Sequence, residues 1–130
     1  MGPTLNVEIL VPTALEQYLK SVGQAVPLPV RGVALVDTGA TISAVDDSVV
    51  KALNLSPIGL TKTGTAVGPA QQYLYPARFA LLDLGSGYEF SRVLGANLSG
   101  TGYIALIGRD VLTQILMVYN GPLGIVTFGV

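Results

Sequence analysis

The chain has 130 residues, a net charge of −1 from 7 basic and 8 acidic side chains, and neither cysteine nor histidine. That length fits one compact domain over residues 1–130, and the absent residue types exclude disulfides, thiolate nucleophiles, Ser-His or Cys-His dyads and ordinary zinc sites. No run of Lys or Arg offers a footprint for nucleic acid or an anionic membrane surface, and no stretch approaches the roughly 18 apolar residues of a membrane span.

Half of the residues are apolar and only 12% are charged. That is more apolar surface than one modest core hides, so a buried subunit interface is expected. The N-terminal stretch MGPTLNVEILVP has neither a basic n-region nor a continuous apolar h-region, and the chain reads as soluble. What remains for acid-base chemistry is mainly carboxylate.

Proline and glycine punctuate the sequence about every ten residues, between short runs rich in Val, Ile, Leu, Thr and Tyr, which is the rhythm of an all-β domain. In chain order, the first strand is expected over Thr4 to Val11. A helix follows over Ala14 to Val22, with Thr13 and Glu16 at capping-box spacing and Gly23 placed to end it. A second strand covers Val30 to Val36. Asp46 or Asp47 caps a helix over Ser48 to Leu53, which Asn54 ends, with Pro57 shortly after. Strands are then expected over Gly59 to Val67, Gln72 to Leu82, Glu89 to Leu94 and Ile104 to Ile107. A third helix opens at Asp110 and carries Val111 to Leu116. The closing strands, Met117 to Tyr119 and Gly124 to Phe128, are joined by an Asn120-Gly121-Pro122 turn.

The segment that carries chemistry is Val33-Ala34-Leu35-Val36-Asp37-Thr38-Gly39-Ala40, an apolar strand that runs straight into an acid, a hydroxyl and a glycine. Burying an unpaired carboxylate is expensive, so a strand ending in Asp must reach solvent or find partners for the charge. Glycine lets backbone approach closely and turn an N–H toward the carboxylate, and threonine offers a hydroxyl that can lock a neighbouring loop. About seventy residues later comes Ala105-Leu106-Ile107-Gly108-Arg109-Asp110-Val111-Leu112.

Together these two segments resemble the retroviral-type aspartic proteases. In that family an apolar strand leads into Asp-Thr-Gly-Ala, and an apolar-apolar-Gly-Arg-Asp/Asn-x-Leu segment precedes the C-terminal helix. The resemblance covers nearly the whole chain: Lys62 to Tyr73 occupies the place of the family's flap, and Tyr119 to Phe128 that of the interlocking terminal strands. It implies an all-β, closed-barrel acid-protease fold with short helices, and a homodimer in which each subunit contributes one catalytic aspartate, here Asp37, to hydrolysis of an extended peptide. It implies no metal and no organic cofactor. By the same resemblance Thr38 braces the two active-site loops across the dyad, and the Gly39 carbonyl accepts a substrate hydrogen bond. Leu35, Ala40 and Leu106 line side-chain pockets, and the flap tip lies near Gly68 to Gln71.

Three departures stand out. The double glycine of the best-known flaps is missing. Thr41 replaces the acid that often pairs with the motif arginine, so Arg109 needs another partner. The helix over Ala14 to Val22 is an insertion relative to the compact viral enzymes.

Plainer roles compete with catalytic ones at several positions. Arg109 reads best as a buried or half-buried fork tying loops together, and Asp110 as a helix cap. Asp83, Glu8, Glu16 and Glu89 read as surface charges, and Tyr73, Tyr75, Tyr88 and Tyr103 as packing on sheet faces, with Tyr73 able to reach the cleft from the flap arm. The main rival to an endopeptidase is a catalytically silent module of the same fold that binds peptides or dimerises. A domain that processes only its own precursor is a third reading.

Overall fold

The computed structural model describes residues 3–65, 68–114, 116–120 and 125–129, with side chains described outside residues 62–71 and 115–130. Nine strands and three helices follow one another in the order β1 (Thr4–Leu10), α1 (Thr13–Ser21), β2 (Val30–Val36), β3 (Ala44–Asp46), α2 (Asp47–Ala52), β4 (Gly59–Thr65), β5 (Gly68–Leu81), β6 (Ser86–Ala96), β7 (Ala105–Ile107), α3 (Arg109–Leu112), β8 (Leu116–Asn120) and β9 (Ile125–Gly129).

Six strands close on themselves. The order β1-β2-β7-β3-β6-β5 returns to β1 through a β1–β5 pairing, leaving β4 outside the ring on β5, while β8 and β9 pair with each other in a separate two-stranded sheet. This is the retropepsin-like barrel. Closure removes the sheet edges that would otherwise be open to other chains. Alternation fills its interior: Leu5, Val7 and Ile9 of β1 point inward, and Asn6 and Glu8 outward. Phe79 and Leu81 of β5, Val93 of β6 and Ile107 of β7 complete the same core, all fully buried. Val49, Val50 and Leu53 of α2 cover one end of it.

β5 serves two structures. Its first half pairs with β4, from Thr65 opposite Gly68 to Gly59 opposite Leu74, and makes a hairpin that extends beyond the barrel. Its second half pairs with β1, from Leu10 opposite Arg78 to Val7 opposite Leu81. The register with β6 slips between Tyr75 and Ala77, where Pro76 has no N–H to give the ladder.

The helices show what local signals can and cannot fix. Both longer ones end in the six-to-one bond that follows a left-handed residue. Gly23 (φ 74) lets Gln24 N donate to the Leu19 carbonyl at 2.9 Å, and Asn54 (φ 51) lets Leu55 N donate to that of Val50 at 3.1 Å. The starts differ from expectation. α1 begins at Thr13, after Pro12, and no side chain caps it. The Thr13 N–H and hydroxyl both donate to Glu89 on β6, and Glu16 pairs with Lys20 and Arg78, so long-range partners replace the expected capping box. α2 is capped by Asp46, as one of the two expected choices had it. The third helix stops at Leu112 rather than Leu116, because Leu116 pairs with Gly129 and the apolar run after it belongs to the β8–β9 ladder. The three-residue β3 is too short to show alternation in the sequence. The Asn120-Gly121-Pro122 turn lies largely outside the described residues.

Asp46 ties three pieces of this frame together. Its carboxylate accepts from the Ser48 hydroxyl and N–H at the head of α2 and from Leu98 N at 2.7 Å. The Ser48 hydroxyl, then the Leu98 N–H, hold this carboxyl below its ordinary value of 3.8 against an opposing effect of burial. A group whose folded value is depressed stabilises above its unfolded value and loses that contribution as pH falls through the folded one. Asp46→Ala should therefore lower stability by about 0.5–2 kcal/mol near neutral pH. Denaturant unfolding of the two proteins at a series of pH values should show the gap closing once the pH drops below the ordinary aspartate range.

Candidate active site

Asp37 follows the last residue of β2, and its backbone continues the sheet, with its N–H donating to the Ile107 carbonyl at 2.9 Å. Ala34 and Val36 are buried, so the alternating partners Leu35 and Asp37, both half-buried, fall on the other face. The chain then turns sharply, and Ala40 N donates back to the Asp37 carbonyl at 3.2 Å. Inside this turn Gly39 N donates to Oδ1 of Asp37 at 3.0 Å. A Cβ on Gly39 would stand 3.3 Å from that same oxygen, so the glycine gives the carboxylate its close N–H. Thr38 and Gly39 are exposed and Ala40 is half-buried. The site offers one fixed, hydrogen-bonded acid on an open loop.

The second motif holds this loop in place. β7 runs parallel to β2 with Leu106 opposite Leu35, and both side chains are half-buried beside the face of Asp37. At the end of β7 the chain passes so close to the loop that a Cβ on Gly108 would meet the Ala40 carbonyl oxygen at 2.9 Å and the Ile42 backbone at 2.9–3.0 Å. Arg109 N donates to the Ala40 carbonyl at 2.8 Å, and its Nη2 to the Thr41 hydroxyl at 2.8 Å. Thr41 is thus the partner Arg109 required. Arg109 itself is exposed, not the buried or half-buried fork expected.

The strongest fastening was not legible in the sequence. Ser43 is the one fully buried polar side chain in the described core. Its hydroxyl donates to Oδ1 of Asp110 at 2.7 Å and accepts from Gly108 N at 2.9 Å, while its own N–H donates to Oδ2 of Asp110 at 3.0 Å. Asp110 also accepts from Val111 N at 3.0 Å. The expected cap role of Asp110 is therefore only partial, since the N-cap position is Gly108 and most of the carboxylate's donors come from Ser43. A lone serine between Ile42 and Ala44 was the available sign, and nothing in one sequence links it to an acid 67 positions on.

Gly68 falls on the descending arm of the β4–β5 hairpin, opposite Thr65, and Pro69, Ala70 and Gln71 continue the ladder opposite Gly64, Thr63 and Lys62. The expected tip at Gly68 to Gln71 is displaced accordingly. Residues 66 and 67, between the paired ends, lie outside the described residues. Gln72 Nε2 donates to the Gly95 carbonyl at 3.2 Å and fastens the base of the hairpin to β6. Clefts of about 250, 350 and 540 Å³ open on this chain, and Asp37 lines none of them.

An aspartate at a strand end, bonded to a glycine N–H, thus lies beside the Gly-Arg-Asp segment that follows a parallel strand of the closed barrel. Solved structures agree on that fold. Simian foamy virus protease shares 22% identity, with a TM-score of 0.55 over 85% of this chain and 92% of its own. EIAV protease, solved with an inhibitor, shares 20% at a TM-score of 0.54 over 88% of each chain. The retroviral protease-like domain of Ddi1 from Leishmania major shares 17% at 0.51 over 98% of this chain and 89% of its own. No curated protein matches the sequence significantly. The family model for aspartyl proteases matches residues 23–111, and the chain belongs to that family.

Two substitutions separate the fastenings. Ser43→Ala leaves the Gly108 N–H and part of the Asp110 carboxylate without partners in a buried place, and should cost about 1–3 kcal/mol in chemical denaturation. Arg109→Ala removes an exposed side-chain bond and should cost less, at most about 1 kcal/mol. The opposite order would show that the arginine, not the serine, carries the clamp.

Proposed function

We propose that the protein is an aspartic endopeptidase whose working unit is a homodimer, with Asp37 of each subunit meeting across a twofold axis. The observation that carries this reading is the Asp37 carboxylate itself, held on one oxygen by the Gly39 N–H in a loop clamped from behind by Gly108 and Arg109. Two facts support the dimer. The chain has one Asp-Thr-Gly, and β8 and β9 pair with each other outside the barrel sheet. A lone two-stranded ribbon is marginal in water and gains most from a further partner. Isologous pairing would supply both the second acid and that partner.

In such a dimer two carboxylates about 3 Å apart share one proton, as the general behaviour of aspartic-protease dyads requires. The ionised Asp37 takes a proton from a water held between the acids as the water oxygen attacks the scissile carbonyl carbon. The protonated Asp37 gives its proton to the carbonyl oxygen, forming a neutral gem-diol. The first acid then protonates the departing amine, the C–N bond breaks, and a hydroxyl proton returns to the second acid. Leu35 and Leu106 supply apolar walls beside the acid. Thr38, exposed on each loop, is placed to meet its twofold mate, and the Gly39 carbonyl is free for an extended substrate. The β4–β5 hairpin, with Gly68 on its descending arm, serves as the cover that excludes water.

Asp37→Asn should abolish hydrolysis of a fluorogenic peptide library, while melting temperature and the fold seen by circular dichroism stay near wild type. Peptide binding that survives with no cleavage by wild type would favour the silent-module reading instead. Wild-type activity should follow a bell weighted to acidic pH and collapse where the pair loses its shared proton.

Mixed dimers give an independent check. With random pairing and complete exchange, an equal amount of Asp37→Asn subunit should leave about half the activity per wild-type subunit, and a fourfold excess about one fifth. Activity per wild-type subunit that stays constant through the titration would refute a shared site.

A further inference from the structure

A cleft of about 350 Å³ opens directly beyond the active-site loop, walled by Thr41 and Ile42 and by Glu89, Phe90 and Arg92 of β6, with Asp110 at its base. Its charges are unequally engaged. The Asp110 carboxylate accepts from Ser43 and Val111, and Glu89 accepts from Thr13 and lies 3.8 Å from Arg78 Nε. Arg109, close by, is bonded to Thr41. Of the cleft's charges Arg92 alone has no partner among the described residues, whereas Arg31, Arg78 and Lys20, elsewhere on the chain, pair with acids. The floor is apolar, for Phe90 packs edge-on against the buried Phe79 at 5.1 Å.

We infer that Arg92 is a specificity-determining residue, and that this cleft takes an acidic side chain of the peptide substrate away from the scissile bond. The inference rests on the endopeptidase reading for the position of the scissile bond. Distance sets which substrate residue is meant. Four residues of chain from Asp37 to Thr41 span at most about 14 Å, and an extended peptide advances about 3.3 Å per residue. The chain turns within that stretch, with Ala40 N donating to the Asp37 carbonyl at 3.2 Å, so the acid belongs within the four residues next to the bond that is cut. Glutamate fits the cleft best, its methylenes lying on Phe90 and Ile42 and its carboxylate accepting two N–H bonds from the guanidinium fork. Twofold symmetry would repeat the arginine on the far side, so an acid should be favoured toward both ends of the substrate.

The test uses the whole chain and peptides sharing one cleavable core, with Glu, Gln or Lys at the second, third or fourth position. The ratio of kcat/KM for Glu over Gln is read within each protein, so changes in overall activity cancel. It should be about two- to fivefold in wild type, near one in Arg92→Gln, and inverted in favour of Lys in Arg92→Glu. Lys51→Gln, which removes another cation on α2, should keep the wild-type ratio. The preference should shrink with added salt and vanish below about pH 4, where the substrate glutamate is protonated. A wild type indifferent to Glu, or an Arg92→Gln variant that keeps the preference, overturns the inference while leaving the protease reading intact. Fluorescence polarisation of the labelled peptides on Asp37→Asn protein, with and without Arg92→Gln, covers the opposite case. Arg92-dependent binding of the Glu peptide with no cleavage by wild type would defeat the endopeptidase and keep the acidic-peptide site. Equal binding of all three peptides would defeat the site.

Discussion

A hydroxyl group with no access to water governs how the two signature segments meet. Ser43 sits at the point where the active-site loop turns into β3, and its oxygen is both donor and acceptor between Asp110 and Gly108. Removing one such group from solvent is unfavourable unless every valence is used. Here the serine, the aspartate and the glycine N–H satisfy one another, and the cost of leaving any of them unpaired selects one arrangement of the loops. Gly108 approaches the Ile42 and Ala40 backbone as closely as it does because no Cβ intervenes. The position of Asp37 follows from that contact, through the Ile107 carbonyl on one side and the Arg109 N–H on the other side of the turn.

The barrel lends this corner its rigidity. β2 and β7 run parallel side by side within the ring, each with another strand on its far side, so neither can slide without breaking two ladders. Asp37 stands where those two strands end, and the side chains that face the core there, Ala34, Val36, Ala105 and Ile107, are all buried. Small residues at two of those four places let the parallel pair pack closely against the core. Asp37 thus sits on a loop, yet on one that leaves a strand paired on both sides.

Much of this was legible from residues alone. Strand β2 matched expectation at both ends, since a valine-rich run bounded by Pro29 and Asp37 leaves little room for another reading. Helix ends at Gly23 and Asn54 were legible because a left-handed backbone is a local demand with few residue solutions. What escaped were features set by distant partners. Thr13 prefers Glu89 to its own helix, the run after Leu112 obeys β9, and β3 exists only because β6 and β7 flank it. The same division holds at the site. The Asp-Thr-Gly turn announced itself, whereas Ser43 and Arg92 acquire meaning only when strands remote in sequence are brought beside them.

The break in β5 has a mechanical consequence. From Arg78 onward the strand is paired on both sides within the closed ring, and up to Leu74 it forms one arm of the hairpin with β4, with Leu74 and Tyr75 also paired to β6. Pro76 interrupts the ladder at the seam and cannot transmit a hydrogen-bonded twist from one half to the other. Gln72, Leu74 and Tyr75 still tie the base of the hairpin to β6, so the seam divides a strand held within the ring from an arm held only at its base. Amide exchange would register this as two populations within one strand, the protons of Phe79 and Leu81 opening only with the whole barrel and those near Tyr73 opening far more often.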